Sequence, residues 1–234
     1  MLYSLYSIVI HQNQYRQSAE KLDGLRKIYQ ESSLNPGQLE SEKQHDQKLK
    51  NHEELQDLNE DYVGWIDVLG TTISYPIVMG EDNEYYLKHN YYRERDFVGS
   101  IFMDYRNSRD KLDKNTIIYG HNMKDDSMFG SLEDLLDQEF FEKHQTITLN
   151  YPDGQTYKWE LFSAYATTDV EWMRTDFSKQ ADFARYLRSV KNKSVILSET
   201  EVGEEVTILT LSTCTDRDND ERIVVHAKLI RGKS

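Results

Sequence analysis

Cys214 is the only cysteine in the chain, and it closes the strand-like run Val206-Thr207-Ile208-Leu209-Thr210-Leu211-Ser212-Thr213. A thiol at a strand end is held by a rigid element and can still face a cleft. A free cysteine has a pKa of about 8.5, and a nearby cation or imidazole favours the nucleophilic thiolate. The sequence offers both. His121 sits in Gly120-His121-Asn122, just past the strand-like Thr116-Ile117-Ile118-Tyr119, where Gly120 lets the backbone turn. Arg222 opens the next strand-like run, and a short loop between the two runs brings it back beside the thiol. Attack of a thiolate on a peptide carbonyl creates an oxyanion, which a fixed guanidinium or backbone N–H groups near Thr213 can bind. The imidazole can protonate a leaving amine and later deprotonate an incoming one. The three residue types suffice for acyl transfer. The plainer alternative is a buried inert thiol, a core histidine and an arginine in a surface ion pair.

Such a trio needs a frame. From Tyr62 onward, strand-like runs recur at 65–68, 73–78, 98–103, 116–119, 146–150, 156–165, 205–211 and 223–230. Eight short strands with little helix between most of them predict a mainly β fold, an antiparallel or mixed eight-stranded barrel. Two inserted helices are expected. One runs from about Met128 to Leu136. The other, Lys179 to Val190, precedes the cysteine strand, with Phe183, Tyr186, Leu187 and Val190 on one face and Ser178 as N-cap.

Residues 11–60 carry few aromatics and many Gln, Glu, Lys and Asp. Leu22, Leu25, Ile28 and Tyr29, then Leu49, Leu55 and Leu58, recur at helical spacing around the break Asn35-Pro36-Gly37. Two N-terminal helices follow, leaning on the main domain or standing as a stalk. Residues 1–10 are apolar but fall short of the roughly 20 residues a membrane span needs. They read as a remnant of a membrane anchor or a turn of helix packed on the body. The expected organisation is 1–10, a helical extension at 11–60 and a catalytic barrel at 61–234.

With 41 acidic and 28 basic residues, the net charge is −13 and no basic stripe is present. That excludes nucleic acid as a partner. The 16 tyrosines suit barrel walls and peptide grooves. One cysteine excludes an internal disulfide. No metal or cofactor is expected. Asp216-Arg217-Asp218-Asn219-Asp220 opens like a calcium loop, but Glu221 replaces the required Gly and Ala227 the closing Glu. His52-Glu53-Glu54-Leu55-Gln56 opens like a zinc-protease helix, but Gln56 replaces the second His.

Thr210-Leu211-Ser212-Thr213-Cys214 resembles the sortase pattern Thr-Leu-x-Thr-Cys, with an arginine at the expected place after it. Ile118-Tyr119-Gly120-His121-Asn122-Met123 and Asp82-Asn83-Glu84-Tyr85-Tyr86-Leu87 resemble segments of class B sortases, in the same order along the chain. The long connection with a helix before the cysteine strand, and the N-terminal helices, also fit class B. The resemblance covers roughly residues 60–230. It implies a cysteine transpeptidase with Cys214 as nucleophile, His121 as acid and base, and Arg222 at the oxyanion. Its expected partners are the C-terminal sorting-signal peptide of secreted proteins and an amine of cell-wall peptidoglycan. The expected location is the outer face of a Gram-positive cell membrane, reached only through an N-terminal anchor. Asn83, Leu87, Tyr119, Ser212 and Thr213 are expected to bind the peptide. Two rivals remain from the residues alone: a hydrolytic cysteine protease with the same trio, and a non-catalytic peptide-binding barrel.

Overall fold

Alternation of large apolar residues, punctuated by turn residues, forms eight strands: β1 (Tyr62–Val68), β2 (Ser74–Val78), β3 (Ile101–Met103), β4 (Asn115–Tyr119), β5 (Thr146–Asn150), β6 (Thr156–Thr167), β7 (Ile208–Cys214) and β8 (Arg222–Ile230). The structure is a computed structural model. It describes residues 2–30, 41–214 and 221–230, with side chains at 13–30, 45–213 and 221–230. The strands close a barrel in the order β1-β2-β3-β4-β7-β8-β6-β5. Pairing is antiparallel except at β2–β3 and β4–β7, which are parallel, so the barrel is of the mixed kind.

Ile66, Ile118, Leu161, Leu209, Leu211 and Val225 fill the interior. The segment expected as a helix at 128–136 is a 3₁₀ turn, Gly130–Leu136, followed by a separate short helix α3, Gln138–Lys143. Asp137 divides them: its carboxylate accepts the Phe140 N–H at 2.9 Å and starts a new helix. Leu132, Leu135 and Phe141 from these pieces join the interior cluster.

A second apolar layer covers the outer faces of β4, β7 and β8. Helix α4 (Gln180–Lys193) lays the expected Phe183, Tyr186, Leu187 and Val190 into it. Its N-cap is Lys179, with no side-chain cap, so Ser178 does not cap it. The Lys179 carbonyl instead receives the first N–H groups, from Asp182 and Phe183. Helices α1 (Leu2–Gln30) and α2 (Ser41–Leu58) also lean on this layer. Leu25 and Leu55 are fully buried, and Tyr29 stacks on Trp65 with ring centroids 4.0 Å apart. Leu58, expected to pack, is 43% exposed, because the apolar stripe of α2 turns outward by its last residue. The Asn35-Pro36-Gly37 break and the acidic 216–220 loop lie outside the described residues. No described helix is long and apolar enough to cross a membrane.

A buried polar line crosses beneath α4. Thr210 donates its one hydroxyl proton to Asn115 Oδ1 at 2.7 Å. It must then accept from His226 Nδ1 at 2.9 Å, which leaves Nε2 to accept the Tyr165 hydroxyl at 3.0 Å. That assignment requires a neutral imidazole. Burial pushes His226 from 6.5 down to about 3. His52, buried beside Tyr62, is lowered to about 4, by burial first and then by the charge of Lys48. Between pH 6.5 and these values the unfolded chain binds protons that the folded chain refuses. Stability is therefore full above 6.5 and is lost as pH falls through the window. Thermal unfolding followed across it should show the midpoint dropping with acid. His52→Gln, which gains no proton on unfolding, should drop less steeply; equal slopes would mean that His52 is not held neutral.

Candidate active site

Two registers bring the predicted trio to one end of the barrel. In the parallel β4–β7 pair, Tyr119 faces Ser212, and the ladder extends by the Gly120 N–H on the Ser212 carbonyl at 3.2 Å. His121 and Cys214 each lie two residues beyond that pair, in the same direction. In the antiparallel β7–β8 pair, Cys214 stands directly opposite Arg222. Arg222 is half-buried and makes no ion pair with a carboxylate among the described residues.

His121 is half-buried, and its Nε2 lies 2.8 Å from the Leu87 carbonyl. A carbonyl can only accept, so Nε2 carries the proton and Nδ1 is the nitrogen free to exchange one. Leu87 ends a 3₁₀ turn, Tyr85–Leu87, in the crossover from β2 to β3. Gly99 lets that turn come so close. Its φ is +64°, and a Cβ there would sit 2.7 Å from the Tyr86 carbonyl oxygen, 2.8 Å from that of Leu87 and 3.1 Å from His121 Cδ2. Gly120 has a different role from the one expected. Its φ is not positive, and the constraint is the close approach of the Ile101 and Phe129 side chains.

Asn83 and Tyr119 converge on Asp104, which sequence reasoning did not single out. Asp104 is fully buried. It accepts the Tyr119 hydroxyl at 2.7 Å, Asn83 Nδ2 at 3.0 Å and two bonds from the Arg106 guanidinium, at 2.8 and 2.6 Å. Burial works against the Asp104 charge, but the bonds from Arg106, Tyr119 and Asn83 outweigh it and hold the carboxyl below its usual range. Burial and the neighbouring Asp104 charge in turn keep the Tyr119 phenol protonated. Arg106 also reaches the Met173 carbonyl at 3.0 Å. The only trace in the sequence is a carboxylate and a guanidinium two residues apart, just past a strand. The other expected peptide-binding residues are less alike. Ser212 is fully buried, and its Oγ has no hydrogen-bond partner among the described residues. Thr213 is 1% exposed and follows Leu209 and Leu211 on the inward face of β7, so its backbone is the part of it nearest to any ligand.

A family model described as "Sortase domain" matches residues 66–230. The chain is 48% identical to sortase B of Listeria monocytogenes over 181 residues, covering 76% of this chain and 73% of that one. The structure of a Staphylococcus aureus sortase B–substrate complex is 38% identical, with a TM-score of 0.81 over 93% of this chain and 98% of that one. A sortase B complexed with triglycine is also 38% identical, with a TM-score of 0.81 over 92% and 98%.

Gly99→Ala tests the close contact beneath His121. A side chain in the left-handed region and against two carbonyl oxygens should cost about 1–3 kcal/mol in denaturant unfolding. The folded fraction should also lose peptide turnover, since Leu87 and His121 must shift apart. Wild-type stability and turnover would mean that the contact is loose.

Proposed function

The chain belongs to the sortase family, as a class B sortase, and on that premise we propose that Cys214, His121 and Arg222 carry its cysteine transpeptidase reaction. The Cys214 thiol gives its proton to His121 Nδ1, and the resulting thiolate attacks a peptide carbonyl of the sorting signal. His121 protonates the departing amine through Nδ1, the C–N bond breaks, and a thioester joins the peptide to the enzyme. An incoming amine then attacks the thioester, gives its proton back to Nδ1 and expels the thiolate. Arg222 stabilises the oxyanion in both halves.

The observation that carries this reading is the pair of registers on β7, with Tyr119 against Ser212 on one side and Cys214 against Arg222 on the other. The Leu87 carbonyl that selects one histidine tautomer supports it. On this reading Asn83, Leu87, Tyr119, Ser212 and Thr213 border the peptide. A related sortase B with substrate and another with triglycine support a peptide donor and an amine acceptor of glycine type, as in peptidoglycan cross-bridges. Residues 61–234 act as the catalytic barrel and 11–60 as its helical extension. On this reading residues 1–10 are the remnant of a membrane anchor, and the barrel works at the outer face of the membrane.

Cys214→Ala should abolish cleavage and leave the melting temperature near that of the parent. Substantial turnover by that protein would remove the nucleophile assignment. Product masses with and without an amine acceptor separate transfer from plain hydrolysis. Arg222→Lys keeps the charge but loses the planar fork of donors. It should lower kcat/KM by about 10²-fold or more, the scale of a lost oxyanion donor. A near-normal Lys variant would mean that only a diffuse positive field is needed.

A further inference from the structure

Residues 79–100 cross from β2 to β3 and contain both Leu87, whose carbonyl holds His121, and Gly99, which abuts its ring. Several contacts that brace the outside of this crossover come from the N-terminal helices. From α2 and the residue after it, the Leu55 carbonyl accepts the Tyr91 hydroxyl at 2.6 Å, and Asn59 donates to the Tyr91 carbonyl at 2.7 Å. From α1, Tyr15 packs edge-on against Phe97 at 4.9 Å, Lys21 pairs with Glu94, and Ser18 donates to Asp96 Oδ2 at 2.6 Å.

These contacts are unequal. The Lys21–Glu94 pair is exposed on both sides, and such pairs contribute little. Ser18 is only 7% exposed, and its hydroxyl meets a carboxylate, which makes the stronger kind of bond. Its proton has a second acceptor, the Gln14 carbonyl of its own helix, but that lies farther off, at 3.0 Å. On the far side, Asp96 Oδ1 accepts the Val98 N–H at 3.0 Å, and its main-chain carbonyl accepts the Gly99 N–H at 3.2 Å. Two hydrogen bonds through one residue thus connect α1 to the glycine against which the histidine rests.

We propose that the N-terminal helix α1 is a brace for the histidine, with Ser18 and Asp96 as positioning residues that hold the Leu87 carbonyl on His121 Nε2. The functional consequence rests on His121 being the acid and base. The extension then does more than locate the enzyme. How firmly α1 is docked determines how firmly the proton-transfer nitrogen is aimed.

The test uses the full chain with selectively ¹⁵N-labelled histidine. Ser18→Ala should speed solvent exchange of the His121 Nε2 proton and lower the kcat of peptide acylation by about tenfold or more, with KM nearly unchanged. Ser18→Thr, which keeps the hydroxyl, should restore both. Asp96→Asn reads the same connection from the barrel side, should Ser18→Ala fail to fold. Slow exchange and parental kcat in folded Ser18→Ala would overturn the brace and leave α1 a docked appendage. Because the exchange readout needs no turnover, it reports on the brace even if Cys214→Ala shows the catalytic assignment to be wrong.

Discussion

Strand β7 is hydrogen-bonded along both edges, parallel to β4 and antiparallel to β8. Everything proposed for the chemistry hangs on those two ladders. The parallel one ends two strands at the same rim, so the residues just past each end become neighbours. The antiparallel one sends the chain straight back, so the first residue of β8 faces the last of β7. A slip of one residue in either ladder would turn a whole strand over and send Cys214 or Arg222 to the opposite face. The inward Leu209, Leu211, Ile223 and Val225 hold that register, because slipping would also take all four out of the barrel interior.

Around this frame the polar groups form supports rather than isolated contacts. Asp104 collects Tyr119, Asn83 and Arg106 on one side of the site, and Arg106 passes the connection on to Met173 beside α4. Asn115, Thr210, His226 and Tyr165 knit β4, β7, β8 and β6 together under the same helix. On the other side, α1 and α2 grip the crossover that touches His121. This rim of the barrel is thus backed by buried hydrogen bonds whose members satisfy one another, and such groups tolerate little displacement.

The sequence made the strands legible because each is a short apolar run between turn residues, and all eight occur where that pattern lies. The placement of residues 121, 214 and 222 at one rim was legible because each lies at or just past the end of such a run. Partner choice was less so: alternation alone does not say that β4 lies beside β7, or that the pair is parallel. The segment at 128–136 kept its apolar spacing but not its α-helical geometry: it winds as a 3₁₀ turn that ends where Asp137 caps a new helix just beyond it. Leu58 looked like the next residue of a stripe, but a stripe at a helix end need not face the body. Asp104 and Gly99 stayed hidden because their importance comes from residues distant in the chain. Nothing local to Asp104 announces Tyr119, and nothing beside Gly99 announces His121.

The β7 ladders have a further consequence for the order of events during folding. Tyr119 and Ser212 are far apart in the chain, and closing such a loop is entropically costly and slow compared with local contacts. A partly folded chain in which β7 has not yet inserted beside β4 cannot bring residues 121, 214 and 222 together, however complete the rest of it is. Until then the sulfur is an ordinary thiol, mostly protonated near neutral pH. As the chain's only cysteine, it also has no second sulfur within the molecule to pair with wrongly. On the proposed assignment, nucleophilic reactivity arrives with the completed barrel.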